Sequence, residues 1–354
     1  MKEVDPYYRR YSSTVQFGGS HYDNVRIVKP DEFDMTIVIN LPVDIRSTEF
    51  NEIYNITIEP KSAGFVQLRM GPKFQNLPEN GREWPNNRAA YEWMDNANYL
   101  QSSKFMNWFK SVVSQALNKF DQGTYYPQHY VDGVVYNIRK SESGPAMTLI
   151  IENNRGFKLD VDLVPALKFP EWRWTTGSTY RRIPAKCARG DWMVVAKSIK
   201  NGNPHDESRS WRIARPEQER ELIHDSGNLR QAWRLVKKLR DTLEMNKIAS
   251  YFIKNLFFWA IVERQWKNKN FWHNNNPADL FKFMVGRLHQ ALKAKRIPYF
   301  WNENENLLGR VPDSVLVEYA AALAPLVRLL EVSQDYKKVA IYLLTPDEFR
   351  KYNM

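Results

Sequence analysis

The chain has 354 residues, enough for one large or two ordinary domains. With 43% hydrophobic and 14% aromatic residues it can bury a sizeable core, which excludes an intrinsically disordered chain. Its net charge of +11, with 40 acidic residues among the basic ones, describes a basic folded surface and favours phosphate-rich partners: nucleotides, nucleic acid or anionic lipid.

Residues 33–39 (Phe-Asp-Met-Thr-Ile-Val-Ile) are rich in β-branched side chains and read as a buried strand, and residues 61–70 read as another. Residues 71–96 carry Pro, Gly and Asn without periodicity and read as a long loop. Apolar residues at 105, 106, 109, 112, 113, 116 and 117 mark a helix over 102–120, with Ser102 or Ser103 as its cap. Residues 146–152 and 157–164 read as the two strands of a hairpin turning at Asn153-Asn154-Arg155-Gly156. Residues 170–210 are polar, Trp-rich and read as irregular. From Pro216 the chain turns helical: Leu229, Trp233, Val236, Leu239 and Leu243 form one stripe, and 248–264, 278–295 and 313–333 read as further helices. The expected fold class is α+β. A mixed β-sheet lobe with flanking helices covers 1–175, and a mostly helical lobe covers 176–354, with a cleft between them.

The chemistry concentrates in Gly18-Gly19-Ser20 and, twelve residues on, Glu32-Phe33-Asp34. Strand side chains alternate faces, so Glu32 and Asp34 point the same way. Two adjacent carboxylates repel each other unless a cation sits between them. Gly19 lets backbone N–H groups approach a phosphate closely, and Ser20 adds a hydroxyl donor. On the return strand of the hairpin, Asp160 and Asp162 both face away from the apolar side. Either one completes a set of three carboxylates able to hold two metal ions for in-line phosphoryl displacement. A solvated face of acids is the plainer reading of the same spacing. Arg230, Arg234 and Lys237 share one helix face, which reads as a solvated face or as a clamp on triphosphate oxygens. Arg212 is of the type that pairs with a guanine edge, and Tyr251 can stack on a base or pack in the core.

Only one cysteine, Cys187, is present, and His21, His129, His205, His224, His273 and His289 lack ligand spacing. No structural zinc is expected. The N-terminus lacks a signal-peptide apolar run, and the apolar stretch 251–262, interrupted by Lys254, is too short to span a bilayer. A cytoplasmic protein without a membrane span is expected.

These residues, in this order, resemble cyclic GMP-AMP synthase and the animal cyclic GMP-AMP synthase-like receptors, within the wider group that includes oligoadenylate synthases. The matching segments are Gly19-Ser20 with Glu32-Phe33-Asp34, then Leu159-Asp160-Val161-Asp162-Leu163, Ser210-Trp211-Arg212-Ile213 and Glu219-Arg220-Glu221-Leu222. Leu235-Val236-Lys237, Ala249 to Lys254 and Ile297 to Asn302 follow. The resemblance spans roughly residues 15–310. It implies that Glu32, Asp34 and Asp162 hold two magnesium or manganese ions. Ser20 and Lys237 would contact triphosphate. Arg212 would read the acceptor base with Glu219 beside it, and Ser250 and Tyr251 would hold the other nucleotide. The implied reaction joins ATP and GTP into cyclic GMP-AMP, an innate-immune and antiviral second messenger, under control of nucleic acid bound on a basic face.

The vertebrate DNA sensor carries a zinc-binding insertion where this chain has only His224-Asp225-Ser226-Gly227-Asn228. The zinc-free, insect-type receptors are therefore the nearer resemblance, and double-stranded RNA is the expected activator. Lys104, Lys110 and Lys119, on the predicted 102–120 helix, are candidate RNA contacts, and a dimer on nucleic acid is a possible assembly. Ala214 and Pro216 replace base-touching hydroxyl residues of the vertebrate enzyme, which leaves base order and linkage open. Nineteen residues precede Ser20 where the resemblance implies a long helix of the activation surface; a truncated gene model lacking that helix and a short variant of reduced activity both fit. A transferase making linear oligonucleotides, or a catalytically silent nucleic-acid-binding protein of the same fold, fits many of the same residues.

Overall fold

The β-branched run around Asp34 forms strand β2 (Glu32–Ile39), whose far half, Ile37-Val38-Ile39, is fully buried. In the computed structural model the described residues are 1–27, 32–46, 55–61, 64–75, 84–123, 125–143, 146–174, 184, 187, 190–199, 203–224, 227–267, 270–332 and 335–352. They divide between two compact units. One comprises Met1–Tyr22, Pro30–Thr176 and Ala188–Glu217, and the other Asp23–Lys29, Gly177–Cys187 and Gln218–Met354.

The first unit is built on a mixed sheet, eleven-stranded among the described residues. Its strands are β1 (Ser12–Gly18), β2, β3 (Ile56–Pro60), β4 (Phe65–Met70), β5 (Asp121–Gln122), β6 (Pro127–Val131), β7 (Val134–Ser143), β8 (Ala146–Glu152), β9 (Lys158–Phe169), β10 (Trp192–Val195) and β11 (Ser210–Ala214). The main path runs β3-β4-β11-β10-β9-β8-β7-β6-β5. β2 joins β9 in parallel, and β1 joins β2 antiparallel. The predicted hairpin is the β8–β9 pair, with β9 extended to Phe169.

Helix Ser102–Leu117 packs Phe105, Met106, Phe109, Val112 and Val113 into the core, as its apolar spacing predicts. Its cap differs from expectation. Gln101 occupies the N-cap position, and Ser102 turns inward to donate its hydroxyl to the Ser208 carbonyl at 3.1 Å. Phe105 and Trp211 pack with ring centroids 5.2 Å apart.

Two stretches read as irregular contain regular structure. Within 71–96 the chain forms helices Pro72–Gln75 and Trp84–Glu92. The second, Trp-Pro-Asn-Asn-Arg-Ala-Ala-Tyr-Glu in sequence, carries no apolar stripe at helical spacing to announce it. Within 170–210 lie a 3-10 turn at Glu171–Arg173, strand β10 and helix Pro204–Arg209. β10 is buried at all four positions, so it shows no alternation, and its Trp192 stacks on Phe169.

The second unit is helical. Gly227–Thr242, Ser250–Lys267, Pro277–Lys293 and Asp313–Val332 are its main helices, and Pro216–Ile223 belongs to it from Gln218 onward. The stripe on Gly227–Thr242 buries Leu229, Trp233, Val236 and Leu239, each side chain contributing about 1.5–3 kcal/mol of burial free energy. Trp233 stacks on Phe257 at 5.0 Å. Pro277–Lys293 starts on Asn276, whose side chain accepts from the Asp279 N–H, followed by Pro277 in the first turn. Among the described residues no helix is long and apolar enough to cross a membrane.

Candidate active site

Register assembles the acidic cluster. In the parallel β2–β9 pair Asp34 stands opposite Asp162 and Glu32 opposite Asp160. Period-two alternation puts Glu32 and Asp34 on one face, and pairing adds the acids of β9. Carboxylate oxygens of Glu32, Asp34 and Asp162 lie within 4.8 Å of one another, with Glu32 exposed and the two aspartates half-buried. The two acids of β9 differ in environment. Asp162 accepts a 2.5 Å hydrogen bond from the Thr148 hydroxyl on neighbouring β8, whereas Asp160 lies 3.8 Å from the Lys158 ammonium. Thr148, 8% exposed, thus orients one carboxylate of the three, a role that sequence reading did not anticipate.

The antiparallel β1–β2 pair brings Gly18 opposite Asp34, and the chain then turns into the short helix Gly19–Tyr22. Gly19 has φ +79°, a left-handed conformation that suits glycine. Its backbone passes so close to Asp34 that a Cβ there would sit 2.0 Å from Oδ2. Tyr22 holds this turn over β2, stacking on Phe17 at 5.0 Å and meeting Phe33 edge-on at 6.2 Å. Ser20 lies in the same short helix, and its side chain falls outside the described residues.

Arg212 lies half-buried on β11, opposite Val195 and Phe65. The other expected nucleotide contacts belong to the helical unit. Glu219 is 7% exposed, and its carboxylate accepts from the Tyr251 hydroxyl at 2.8 Å and the Trp301 indole at 3.2 Å. Ser250 is exposed at the start of the helix that carries Tyr251. Lys237 is 8% exposed and donates to the Val25 carbonyl at 3.2 Å, while burial and nearby Arg240 push its ammonium below the ordinary lysine range. Its neighbours on the same face also serve backbone carbonyls: Arg234 donates to Asn24 O and Arg230 to His224 O. Of the candidate RNA contacts, Lys104 donates to Met94 O, Lys110 pairs with Glu142 at 2.5 Å, and Lys119 is exposed just past the end of its helix.

Residues 21–225 match the Mab-21 protein nucleotidyltransferase domain, and 228–324 the Mab-21 protein HhH/H2TH-like domain. The cyclic GMP-AMP synthase-like receptor of Ctenocephalides felis is 33% identical, over 99% of this chain and 81% of its own length. Those of Aethina tumida and Tribolium castaneum are 29% and 28% identical, each over 99% of this chain and 84% of their own. The chain belongs to the cyclic GMP-AMP synthase-like receptor family. It is a nucleotidyltransferase.

For a nucleotidyltransferase of this family a divalent cation is the implied cofactor, and the donor set fits one. All three candidate ligands are carboxylates, hard oxygen donors of the kind magnesium and manganese prefer, and they converge from two paired strands. Among the described residues this is the one cluster of three or more His, Cys, Asp or Glu side chains spaced to share an ion. Cys187, buried, is not part of it.

Proposed function

We propose that this chain is a nucleic-acid-activated synthase that joins ATP and GTP into cyclic GMP-AMP as an innate-immune second messenger, and that double-stranded RNA switches it on. The observation that carries the catalytic part is the convergence of Glu32, Asp34 and Asp162 to within 4.8 Å on adjacent parallel strands. These carboxylates hold two magnesium or manganese ions, which when bound supply the positive charge that in-line phosphoryl displacement needs. Thr148 keeps Asp162 in its rotamer. Gly19 lets the backbone pass close beside Asp34, with Ser20 next in line to donate to phosphate. Lys237 serves the triphosphate by exchanging the Val25 carbonyl for a phosphate oxygen. Arg212 reads the acceptor base, while Ser250 and Tyr251 hold the other nucleotide, Tyr251 by stacking with its hydroxyl fixed on Glu219.

Activation by RNA rests on charge. A net +11 attracts phosphates, and A-form RNA is read through shape and backbone because its major groove is too narrow for side chains. Lys104, Lys110 and Lys119 are the first contacts to test, as is dimer formation on the RNA. The site of action is the cytoplasm, where ATP, GTP and foreign RNA meet.

The deciding experiment incubates the protein with labelled ATP and GTP, magnesium or manganese, and double-stranded RNA, double-stranded DNA or single strands at equal salt. The expected result is a cyclic dinucleotide formed with double-stranded RNA alone, fading steeply as salt rises. Activation by DNA alone would overturn the RNA assignment. A linear product would identify an oligonucleotide-making transferase, and no product with any nucleic acid would identify a catalytically silent binding protein.

A further inference from the structure

Lys254 interrupts the most apolar stretch of the sequence, and in the fold it lies inside the helical unit. Its ammonium is 3.0 Å from the Asp23 carboxylate and 3.0 Å from that of Glu219, and the three side chains are 17%, 10% and 9% exposed. Burial by itself would push the lysine towards neutrality. Glu219 and Asp23 outweigh it and hold the ammonium charged, with a pKa raised above the ordinary lysine value. Buried ion pairs are a weak source of stability, because desolvation offsets most of the attraction, so an arrangement this specific calls for another role.

The geometry indicates what that role is. Glu219 uses its two oxygens differently: Oε2 faces Lys254, while Oε1 accepts from Tyr251 and Trp301. Tyr251 and Lys254 lie three residues apart on one helix and therefore on one face. One turn further on, buried Asn255 donates to the Tyr251 carbonyl at 2.7 Å and accepts from the Phe300 N–H at 2.8 Å. That ties the start of the helix to the turn that carries Trp301. The other acid, Asp23, is the first residue after the short helix bearing Gly19 and Ser20. One ammonium thus joins the acid that fixes Tyr251 to the segment that leaves the phosphate-facing turn.

We propose that Lys254 is a positioning residue. It holds Glu219, and through it the Tyr251 ring, in the orientation that stacks on a nucleotide base, and it anchors Asp23 where the chain leaves that short helix. The proposal rests on the nucleotidyltransferase reading above and adds Lys254, Asp23 and Trp301 to it. None of the three touches the reacting atoms in this role.

The test compares wild type with Lys254→Arg, Lys254→Met and the double variant Lys254→Met, Glu219→Gln. Lys254→Met strands two buried carboxylates and is the variant at risk of misfolding. The double variant avoids this: one cation and two anions become a single anion, so the cluster keeps its net charge of minus one. The amide oxygen that Glu219→Gln introduces can still accept from Tyr251. Folding is checked by thermal melting, and KM and kcat are measured for ATP and GTP. In the folded double variant KM is expected to rise about 5- to 150-fold, the range a lost base–aromatic stack covers, with a smaller change in kcat. Lys254→Arg keeps the cation and is expected to stay near wild type. A folded double variant with wild-type KM overturns the proposal and leaves Lys254 a charge-balancing residue. If wild type itself forms no product, the synthase reading fails separately, and calorimetric binding of ATP and GTP to the same variants decides. Weaker binding in the double variant supports the role. Equal binding, or no binding even by wild type, overturns it.

Discussion

Replacing Gly19 with alanine tests the candidate site through one methyl group. The Cβ would lie 2.0 Å from Asp34 Oδ2 and 3.1 Å from its Cγ. Such a contact must open to at least 3.0 Å, so either the turn or the Asp34 carboxylate moves by about 1 Å. Metal ligands tolerate deviations of only about 0.2 Å, and a misplacement of about 1 Å in a reacting constellation costs on the order of 10²-fold in rate. The backbone adds its own penalty: φ is +79° at Gly19, and a side chain there costs about 1–2 kcal/mol. That is a fraction of the stability of an ordinary domain, so the variant should fold. Gly18→Ala is the matched control, since its Cβ finds only Asp34 Cβ, at an ordinary 3.7 Å. The assay is pyrophosphate release with magnesium and activating nucleic acid, beside circular-dichroism melting. The expected result is a loss of about 10²-fold for Gly19→Ala with a modest fall in Tm, and near-normal turnover for Gly18→Ala. A Gly19→Ala protein as active as its control would refute the assignment of Asp34 to the reaction.

Asp34→Asn is expected to abolish nucleotide transfer while leaving Tm unchanged or slightly higher, because it removes one of three crowded carboxylates and, with it, a proposed metal ligand; retained turnover would rule that role out. Elemental analysis of purified protein is expected to find no stoichiometric zinc, since the single cysteine and scattered histidines cannot form a closed site. Hydrogen bonds from Lys238, then from Thr345, hold the Glu348 carboxyl at about 2, below its ordinary 4.5. The folded pKa is depressed, so this contribution is complete above pH 4.5 and is lost as pH falls towards 2. Glu348→Gln should accordingly flatten the acid limb of Tm against pH; the effect is small because the side chain is 47% exposed, and parallel curves would count against it.

Legibility in this chain follows the range of the interactions. The stripe Leu229, Trp233, Val236 and Leu239 and the alternation Glu32-Phe33-Asp34 are local patterns that need no partner to be recognised. Helix Trp84–Glu92 has no such stripe, and β10 is buried at every position, so neither period is written in its residues. Strands β1, β6 and β7 went unread for a related reason: much of their surface is exposed, and their pairing partners make them strands.

The candidate site divides the same way. Alternation alone placed Glu32 and Asp34 together and made Asp160 and Asp162 equivalent, because both lie on one face of β9. What separates them is the parallel register, which sets Asp162 opposite Asp34, and the Thr148 hydroxyl on a third strand. Lys254 is the sharper case. A charge inside an apolar run is visible in the sequence, but its reason comes from Asp23, 231 positions away, and from Glu219 on another helix. Side-chain periodicity is a property of one segment, so the sequence by itself determined which faces carry acid and which carry core. Which carboxylates meet, and what a buried ammonium holds, depends on segments far apart in the chain, and only tertiary packing brings those within hydrogen-bond distance.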